Sequence, residues 1–384
     1  MFDIRDIFLT INYILMKIRD RYIAKTLFTY TLVVLLVWLS IYSFFNFLTE
    51  LKNVGQQNYT ILAAFKYIVF QMPKVAYDQA SPVILLGCIL GMGHLATTGQ
   101  LLIFRVSGAS ILKITVITLK NALIFISIII TVGEFLAPIS SNFSESERAN
   151  ALGNNSASIG QDGFWIRDGD NFINVKKNIN GKLFSDVTVI EVNSSNKIER
   201  VINSDNAIFD GSSLNMKCSS DIEDCRSSKI FSVDDSSIFD KISLKERNSY
   251  NKKVSFDQDL INSIEKEPKD LTTWTLVKQI QFLTDNKLRS GVFEVELYKR
   301  LIKPVTLIAM ILLAMLFIFE STRDVSLGRK IFFGVALALS FEMLSRITSA
   351  MALSFDFNTL ISAMLPSALV MAISMLLLIQ KSVR

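Results

Sequence analysis

Runs of apolar residues long enough to cross a bilayer stand at both ends of the chain, with a polar stretch between them. No single water-soluble core accommodates that arrangement. A bilayer core of about 30 Å takes roughly 20 helical residues. Five runs meet this length plainly: 27–48, 114–137, 301–319, 331–353 and 360–380. The stretch 61–96 holds two apolar segments separated by Lys74, Asp78 and Pro82, and reads as two crossings or as one long, broken one. The intervening 140–296 is rich in Asn, Ser, Asp and Lys, although half of the 384 residues are apolar overall. The pattern is membrane, soluble, membrane.

Basic residues decide between the two counts. Lys17, Arg19, Arg21 and Lys25 precede the first run, which places the N-terminus in the cytoplasm. The loop 97–113 carries Arg105 and Lys113 and no acid. If 61–96 crosses once, that loop is cytoplasmic too, as are Arg323, Arg329, Lys330, Lys381 and Arg384, while the turn at 354–359, without Lys or Arg, lies outside. Six spans therefore satisfy every basic loop. The first run lacks a small-residue cleavage site after it and reads as a retained span. The predicted division is a cytoplasmic segment 1–26, spans one to three over 27–137, an extracytoplasmic domain 138–296 and spans four to six over 297–384. The net charge of +5 is absorbed by this topology, and no nucleic-acid motif accompanies it.

From about residue 159 the pattern turns to short strands. Phe164-Trp165-Ile166 and Phe172-Ile173-Asn174-Val175 flank Asp168-Gly169-Asp170, a hairpin signal. Leu183 to Val192 alternates, with Val187 and Val189 on one side, and further strands fit near 197–202, 206–209, 213–217 and 229–233. Short strands with regular turns predict a sandwich or jelly roll. Residues 271–284 read as a helix with Leu271, Trp274, Val277, Ile280 and Leu283 near one face. Cys218 and Cys225 are either a small disulfide of an oxidising compartment or two free thiols. Cys88 lies inside an apolar run.

Little in the chain points to catalysis. There is no Walker A motif, His94 is the only histidine, and no His/Cys/carboxylate set has metal spacing, so neither cofactor nor metal is expected. Charges within or beside the spans are more informative. Glu342 and Arg346 stand four apart in the fifth span, either as a mutual ion pair or as contacts for a polar part of a substrate. Lys52, Lys74 and Arg300 fall near outer span boundaries, where they either meet an anionic headgroup or snorkel to the interface. The loop 97–111 is short and unusually apolar: Leu101, Leu102, Phe104 and Val106 suit docking into a groove on a cytoplasmic protein or lying on the membrane, and Ser107-Gly108 would end the helix. Gly87-x-x-x-Gly91 suits a close helix neighbour.

Taken in order, these residues resemble the LptF/LptG permease family of the lipopolysaccharide transport system. The resemblance runs from Arg21 to Lys381 and rests on Arg21-Tyr22-Ile23-x-Lys25-Thr26, Pro73-Lys74, Leu86-Gly87 through Gly93, Ser107-Gly108 and Gly133-Glu134-x-x-Ala137-Pro138. It continues through Gly163-Phe164-Trp165-x-x-Asp168-Gly169-x-Asn171-Phe172, Arg300-x-x-x-Pro304, Arg323-x-x-x-x-Gly328 and Leu365-Pro366-Ser367. The opening Asp20-Arg21-Tyr22-Ile23 and the Trp165 hairpin are more similar to the LptG branch than to the sister LptF.

The resemblance implies an α+β membrane protein with six transmembrane helices (3+3) and an inserted periplasmic β-jelly-roll-like domain, in a Gram-negative inner membrane. It implies a non-catalytic permease subunit that extracts lipopolysaccharide and works with an LptB-like ATPase dimer, an LptF-like permease, and LptC-like and LptA-like bridge proteins. It makes 97–109 the coupling helix, with Gln100, Leu101, Leu102, Phe104, Arg105, Ser107 and Gly108 on the ATPase, and sets the first and fifth spans beside the lipid cavity. Two positions depart from the family: Gln100 replaces an acidic residue, and Asn46 replaces a basic one whose charge Lys52 would supply. The other readings are the LptF sister subunit, a mechanotransmission permease that carries no lipid in its membrane cavity, and a membrane-anchored enzyme.

Overall fold

The computed structural model describes residues 18–153, 164–179, 182–193, 197–217, 228–234, 241–247, 249–257, 260–261, 266–320, 327–355 and 357–383. Cys218, Cys225 and Arg323 lie outside these residues. The chain divides into two compact units, one of Met1–Lys52, Phe65–Ser144 and Val295–Arg384, the other of Asn53–Ala64 and Glu145–Glu294.

The first unit is helical. Its elements are α1 (Ile18–Glu50), α2 (Ile61–Asp78), α3 (Ala80–Thr97), α4 (Gln100–Val106), α5 (Ile111–Thr131), α6 (Ala137–Ala151), and then α8 (Gly291–Glu320), α9 (Leu327–Ser354) and α10 (Thr359–Val383). Among the described residues six helical stretches are long and apolar enough to span: Asp20–Asn53, Ala80–Thr97, Ile111–Ala151, Gly291–Phe319, Ile331–Ser354 and Thr359–Ser382. The region 61–96 is two helices, with α3 alone long and apolar enough to cross; the break falls at Gln79, ahead of Pro82, which sits in the first turn of α3 where a missing N–H costs nothing.

α3 is the axis of this unit, buried from Ala80 through Leu95 apart from Pro82, Leu90 and His94. Its glycines explain how. A Cβ on Gly87 would stand 2.6 Å from the Thr31 Cα and one on Gly91 3.5 Å from the Leu27 Cα, so the backbones of α1 and α3 nearly touch. α1 in turn leaves Val33, Leu36, Val37, Ile41, Phe44 and Phe45 more than half exposed, a face suited to lipid or another subunit.

The third span does not stop at Pro138. α5 passes through a wide π turn at Val132–Leu136 and continues as α6 to Ala151. Gly133 in that turn lies against the Tyr77 ring, where a Cβ would come within 2.0 Å. Past the turn, Gln71 Nε2 donates to Ser144 Oγ at 3.0 Å and Phe70 meets Phe143 edge to face at 5.0 Å. Pro138 follows directly on the turn, where the Ala137 N–H bonds the Val132 carbonyl and the ladder passes back to α spacing, so its missing N–H falls at the changeover.

The second unit is an antiparallel sheet with one helix. Its strands are β1 (Phe164–Asp168), β2 (Asn171–Ile179), β3 (Leu183–Val192), β4 (Ile198–Phe209), β5 (Ser213–Lys217), β6 (Ser228–Asp234), β7 (Lys241–Arg247) and β8 (Ser249–Lys253), followed by α7 (Thr273–Asp285). β1 to β4 form a meander, and β4 then forks: Arg200–Asn203 pairs with β6, while Ile208–Phe209 pairs with β5, which pairs β8. The predicted strands at 197–202 and 206–209 are one strand. Alternation buries Ile173, Val175, Val187, Val189 and Ile202 on one face. A run of ring contacts, Phe164–Phe184–Phe209–Phe256–Phe282, carries the core from β1 to α7 at centroid spacings of 6.4, 6.2, 5.7 and 6.4 Å. α7 buries Leu276, Gln279 and Phe282; of the apolar residues expected near one face, Leu271 is buried and Leu283 packs against the core, while Trp274 and Val277 are exposed.

The sheet curls far enough for its last strand to meet its early ones. Lys252 Nζ on β8 reaches Glu191 Oε1 on β3 at 2.5 Å and Asn171 Oδ1 on β2 at 2.9 Å, and the Tyr250 hydroxyl donates to the same Glu191 oxygen at 3.1 Å. Burial disfavours the charged carboxylate, but the bonds from Lys252 and Tyr250 and the nearby Arg200 outweigh it and hold Glu191 below its ordinary value. A depressed carboxyl pKa stabilises the fold above the unfolded value, here 4.5, and that contribution is lost as pH falls through the folded value. Thermal unfolding of the full-length chain in detergent, followed by tryptophan fluorescence, should thus show an acid-side loss of stability that Glu191→Gln reduces. At neutral pH the same variant should cost about 1–3 kcal/mol. Parallel acid curves for the two proteins would remove Glu191 from the account.

Candidate functional site

The segment joining α3 to α5 is shaped by two glycines. Gly99 (φ +75°) and Gly108 (φ +86°) take left-handed conformations that bracket the seven residues of α4. Ser110 then caps α5, accepting from the Lys113 N–H at 3.2 Å. The helix is shorter than the predicted 97–109 because the flanking residues form its caps.

Its side chains divide sharply. Leu101 is 6% exposed and belongs to the core of the helical unit, and Phe104 packs partly against that core. Leu102, Ile103 and Val106 are exposed, Val106 by 81%. Arg105, Ser107 and Gly108 are exposed as well. Leu101 therefore anchors the helix, and the outward apolar face is Leu102, Ile103 and Val106; Ile103 was not singled out from sequence. Gln100 Oε1 is buried and finds no hydrogen-bond partner among the described residues.

The remaining charges are distributed over several elements. Lys52 is exposed in the 3-10 turn Leu51–Asn53 after α1, and Lys74 is half-buried on α2. Arg300 on α8 has a side chain only 7% exposed, with Nε donating to Glu296 Oε1 at 3.2 Å. Its charge, with those of Glu134, Glu296 and Asp78, bears on the Tyr77 hydroxyl. One turn further on, Lys303 lies 5.1 Å from the Tyr77 ring centroid and donates to the Asp78 carbonyl at 3.2 Å. Sequence reasoning passed over Lys303, although its place three residues after Arg300 in a span was a usable signal. Arg346 Nε donates to Glu342 Oε1 at 3.2 Å across one turn of α9, and both side chains remain well exposed. Among the described residues no cluster of His, Cys, Asp and Glu could hold a metal ion.

Six helices long and apolar enough to span, an inserted antiparallel domain and a short helix with an outward apolar face define a multi-pass membrane protein with a large inserted β unit. The sequence matches the family model described as lipopolysaccharide export system permease LptF/LptG over residues 21–380. It is 26% identical to the lipopolysaccharide export system permease protein LptG of Escherichia coli K12, over 94% of this chain and 98% of that one. The protein of the same name from Haemophilus influenzae is 24% identical, over 91% of this chain and 95% of its own. The chain belongs to the LptF/LptG family of lipopolysaccharide export permeases, and its curated relatives are LptG rather than LptF. As a family member with six apolar helices it is a multi-pass inner-membrane protein and a transporter component.

Proposed function

We propose that this chain is the LptG-type permease subunit of an ATP-driven exporter: it takes lipopolysaccharide from the outer leaflet of the inner membrane and passes it along its β unit to a periplasmic bridge. The observation that carries the reading is the outward face of α4, Leu102, Ile103 and Val106, on a helix pinned to the core by Leu101. An exposed apolar triad between a basic N-terminal segment and a basic loop suits a cytoplasmic ATPase partner. The chain has no Walker A motif of its own, so ATP turnover belongs to that partner, an LptB-like dimer.

In this reading the β unit is periplasmic, an LptF-like permease completes the membrane cavity, and LptC-like and LptA-like proteins receive the lipid. Lys52 and Lys74 meet the phosphates of the lipid at the outer rim. Arg300, buried and paired with Glu296 beside Tyr77, serves the packing of α8 instead of reaching the lipid. Glu342 and Arg346 form an exposed pair that would line the cavity.

Affinity purification of the tagged chain in mild detergent, with mass spectrometry of bound proteins and lipids, tests this directly. Recovery of an ABC-type ATPase, a second six-span permease and lipopolysaccharide is the expected result. An ATPase recovered without glycolipid, even after photocrosslinking from position 52, would favour mechanotransmission. Absence of any ATPase would end the transporter reading.

A further inference from the structure

A cavity of about 430 Å³ opens in the helical unit among α1, α3, α5 and α8. Its volume falls within the roughly 300–1,000 Å³ usual for small-ligand sites. Arg21 and Lys25, one helical turn apart on α1, line one end together with Asn121 of α5. The walls then continue through Phe28 and Thr31 of α1, Ile84 and Cys88 of α3, and Phe125 and Ile128 of α5. α1 and α5 run side by side in the same direction: Asn121 Nδ2 donates to the Asp20 carbonyl at 2.9 Å, and further along Phe28 meets Phe125 at 6.2 Å. The polar end of the cavity therefore lies at the N-terminal end of α1 and beside the middle of α5, and the apolar part extends from there along α1 toward the middle of its span.

Asn121 is 6% exposed. Its amide nitrogen is satisfied by Asp20, yet its Oδ1 has no hydrogen-bond partner among the described residues. A buried amide oxygen left unpaired costs about 1–3 kcal/mol, and Asn121 lines the cavity, so a turn of its amide toward a donor from outside the chain would relieve that cost. Two cations, an acceptor without a donor and an apolar continuation along the span describe an amphiphile with an anionic head that also carries a donor group. A free phosphate would use the cations and leave the apolar wall empty.

We propose that this cavity binds a phosphate-bearing glycerophospholipid of the leaflet at the N-terminal side of α1. The phosphate lies between Arg21 and Lys25, a headgroup hydroxyl or ammonium donates to Asn121 Oδ1, and an acyl chain follows the Phe28–Ile128 wall. The site belongs to the leaflet opposite the one from which the substrate is taken, so the lipid is a resident of the permease rather than its cargo. Only that last distinction rests on the export reading; the site itself requires no more than a membrane.

The test uses the full-length chain in detergent and native mass spectrometry with phosphatidylglycerol, with diacylglycerol and inorganic phosphate as separate arms. Phosphatidylglycerol should be retained and the other two should not. Arg21→Gln/Lys25→Gln and Asn121→Asp should each weaken retention about tenfold, the worth of roughly one charge-assisted hydrogen bond. Asn121→Asp keeps the size of the side chain and sets a negative charge beside the phosphate. Should these variants misfold, a phosphatidylglycerol carrying a photoreactive group near its head should crosslink the wild-type chain within residues 20–31 or 119–128. Equal retention by folded variants, retention of diacylglycerol alone, binding of phosphate alone, or crosslinks confined to other segments would each overturn the proposal. Lipopolysaccharide displacing phosphatidylglycerol at these residues would overturn the assignment of the lipid while leaving the export reading in place.

Discussion

Replacing Gly87 with leucine is expected to separate α1 from α3 and lower the thermal midpoint of the purified chain. The reason is geometric. Even a bare Cβ at this position would lie 2.5 Å from the Thr31 Oγ1 and 2.6 Å from its Cα, and the backbone cannot rotate out of the way as a side-chain tip can. Overpacking of a tight contact usually costs about 1–3 kcal/mol, and a leucine here also pushes apart a seam that continues to Gly91. Gly328 supplies the control, because a Cβ there meets nothing within 4 Å. Gly328→Leu should leave the midpoint unchanged. Equal shifts for the two variants would show that the α1–α3 approach contributes nothing special.

The second large effect concerns assembly rather than folding. Ile103→Asp/Val106→Asp should abolish recovery of the ATPase with this chain while leaving its own unfolding midpoint in place, because both side chains already face outward. Desolvating two aliphatic side chains at an interface is worth about 2–4 kcal/mol, so the complex should weaken on the order of 100-fold. Leu101→Asp separates anchor from face. That residue is 6% exposed in the core, and its replacement should destabilise the chain itself. A double variant that still recovers the ATPase in full would move the docking surface elsewhere.

The six apolar helices were legible in the sequence because each span needs about 20 apolar residues and the basic loops favoured six crossings over seven. The details that escaped share one cause, that local pattern and tertiary burial disagree. The third apolar run ends at 137, but the helix continues through the π turn and past Pro138 to Ala151. Gln79 breaks α2 from α3 without any conventional breaker at that position. β4 looked like two strands because Asn203, Ser204, Asp205 and Asn206 are polar, whereas cross-strand pairing with β3 carries the ladder through them. β8 was missed because Tyr250 is the only apolar residue among Ser249 to Lys253. On α7 Trp274 and Val277 face outward while Gln279 faces in beside Leu276 and Phe282, which a hydrophobicity argument does not recover.

The candidate surfaces follow the same logic. Ser107-Gly108 announced the end of the short helix, but only packing distinguishes Leu101 from Leu102. Arg300 looked like a rim cation because sequence shows its charge and its depth, not Glu296 one turn away closing over it. Asn121 gave no signal at all: a single amide in an apolar run is ordinary, and its significance lies in the bond that its oxygen lacks.

The wide turn at Val132–Leu136 has a bearing on how this helix can vary. It carries one residue more than an α-helix needs to cover the same rise. On its near side Gly133 is keyed to Tyr77, and on its far side Phe143 and Ser144 are keyed to Phe70 and Gln71 of the same neighbouring helix. Both sets of contacts hold only at one angular phase. Because the turn absorbs its surplus residue locally, removal of one residue there should return the segment to plain α-helix with both sets of contacts in phase, whereas removal of one residue between the turn and Phe143 would rotate the serine face away from Gln71 by about 100°. The turn is thus the one place on this helix where chain length can vary while the two halves go on facing the same neighbour.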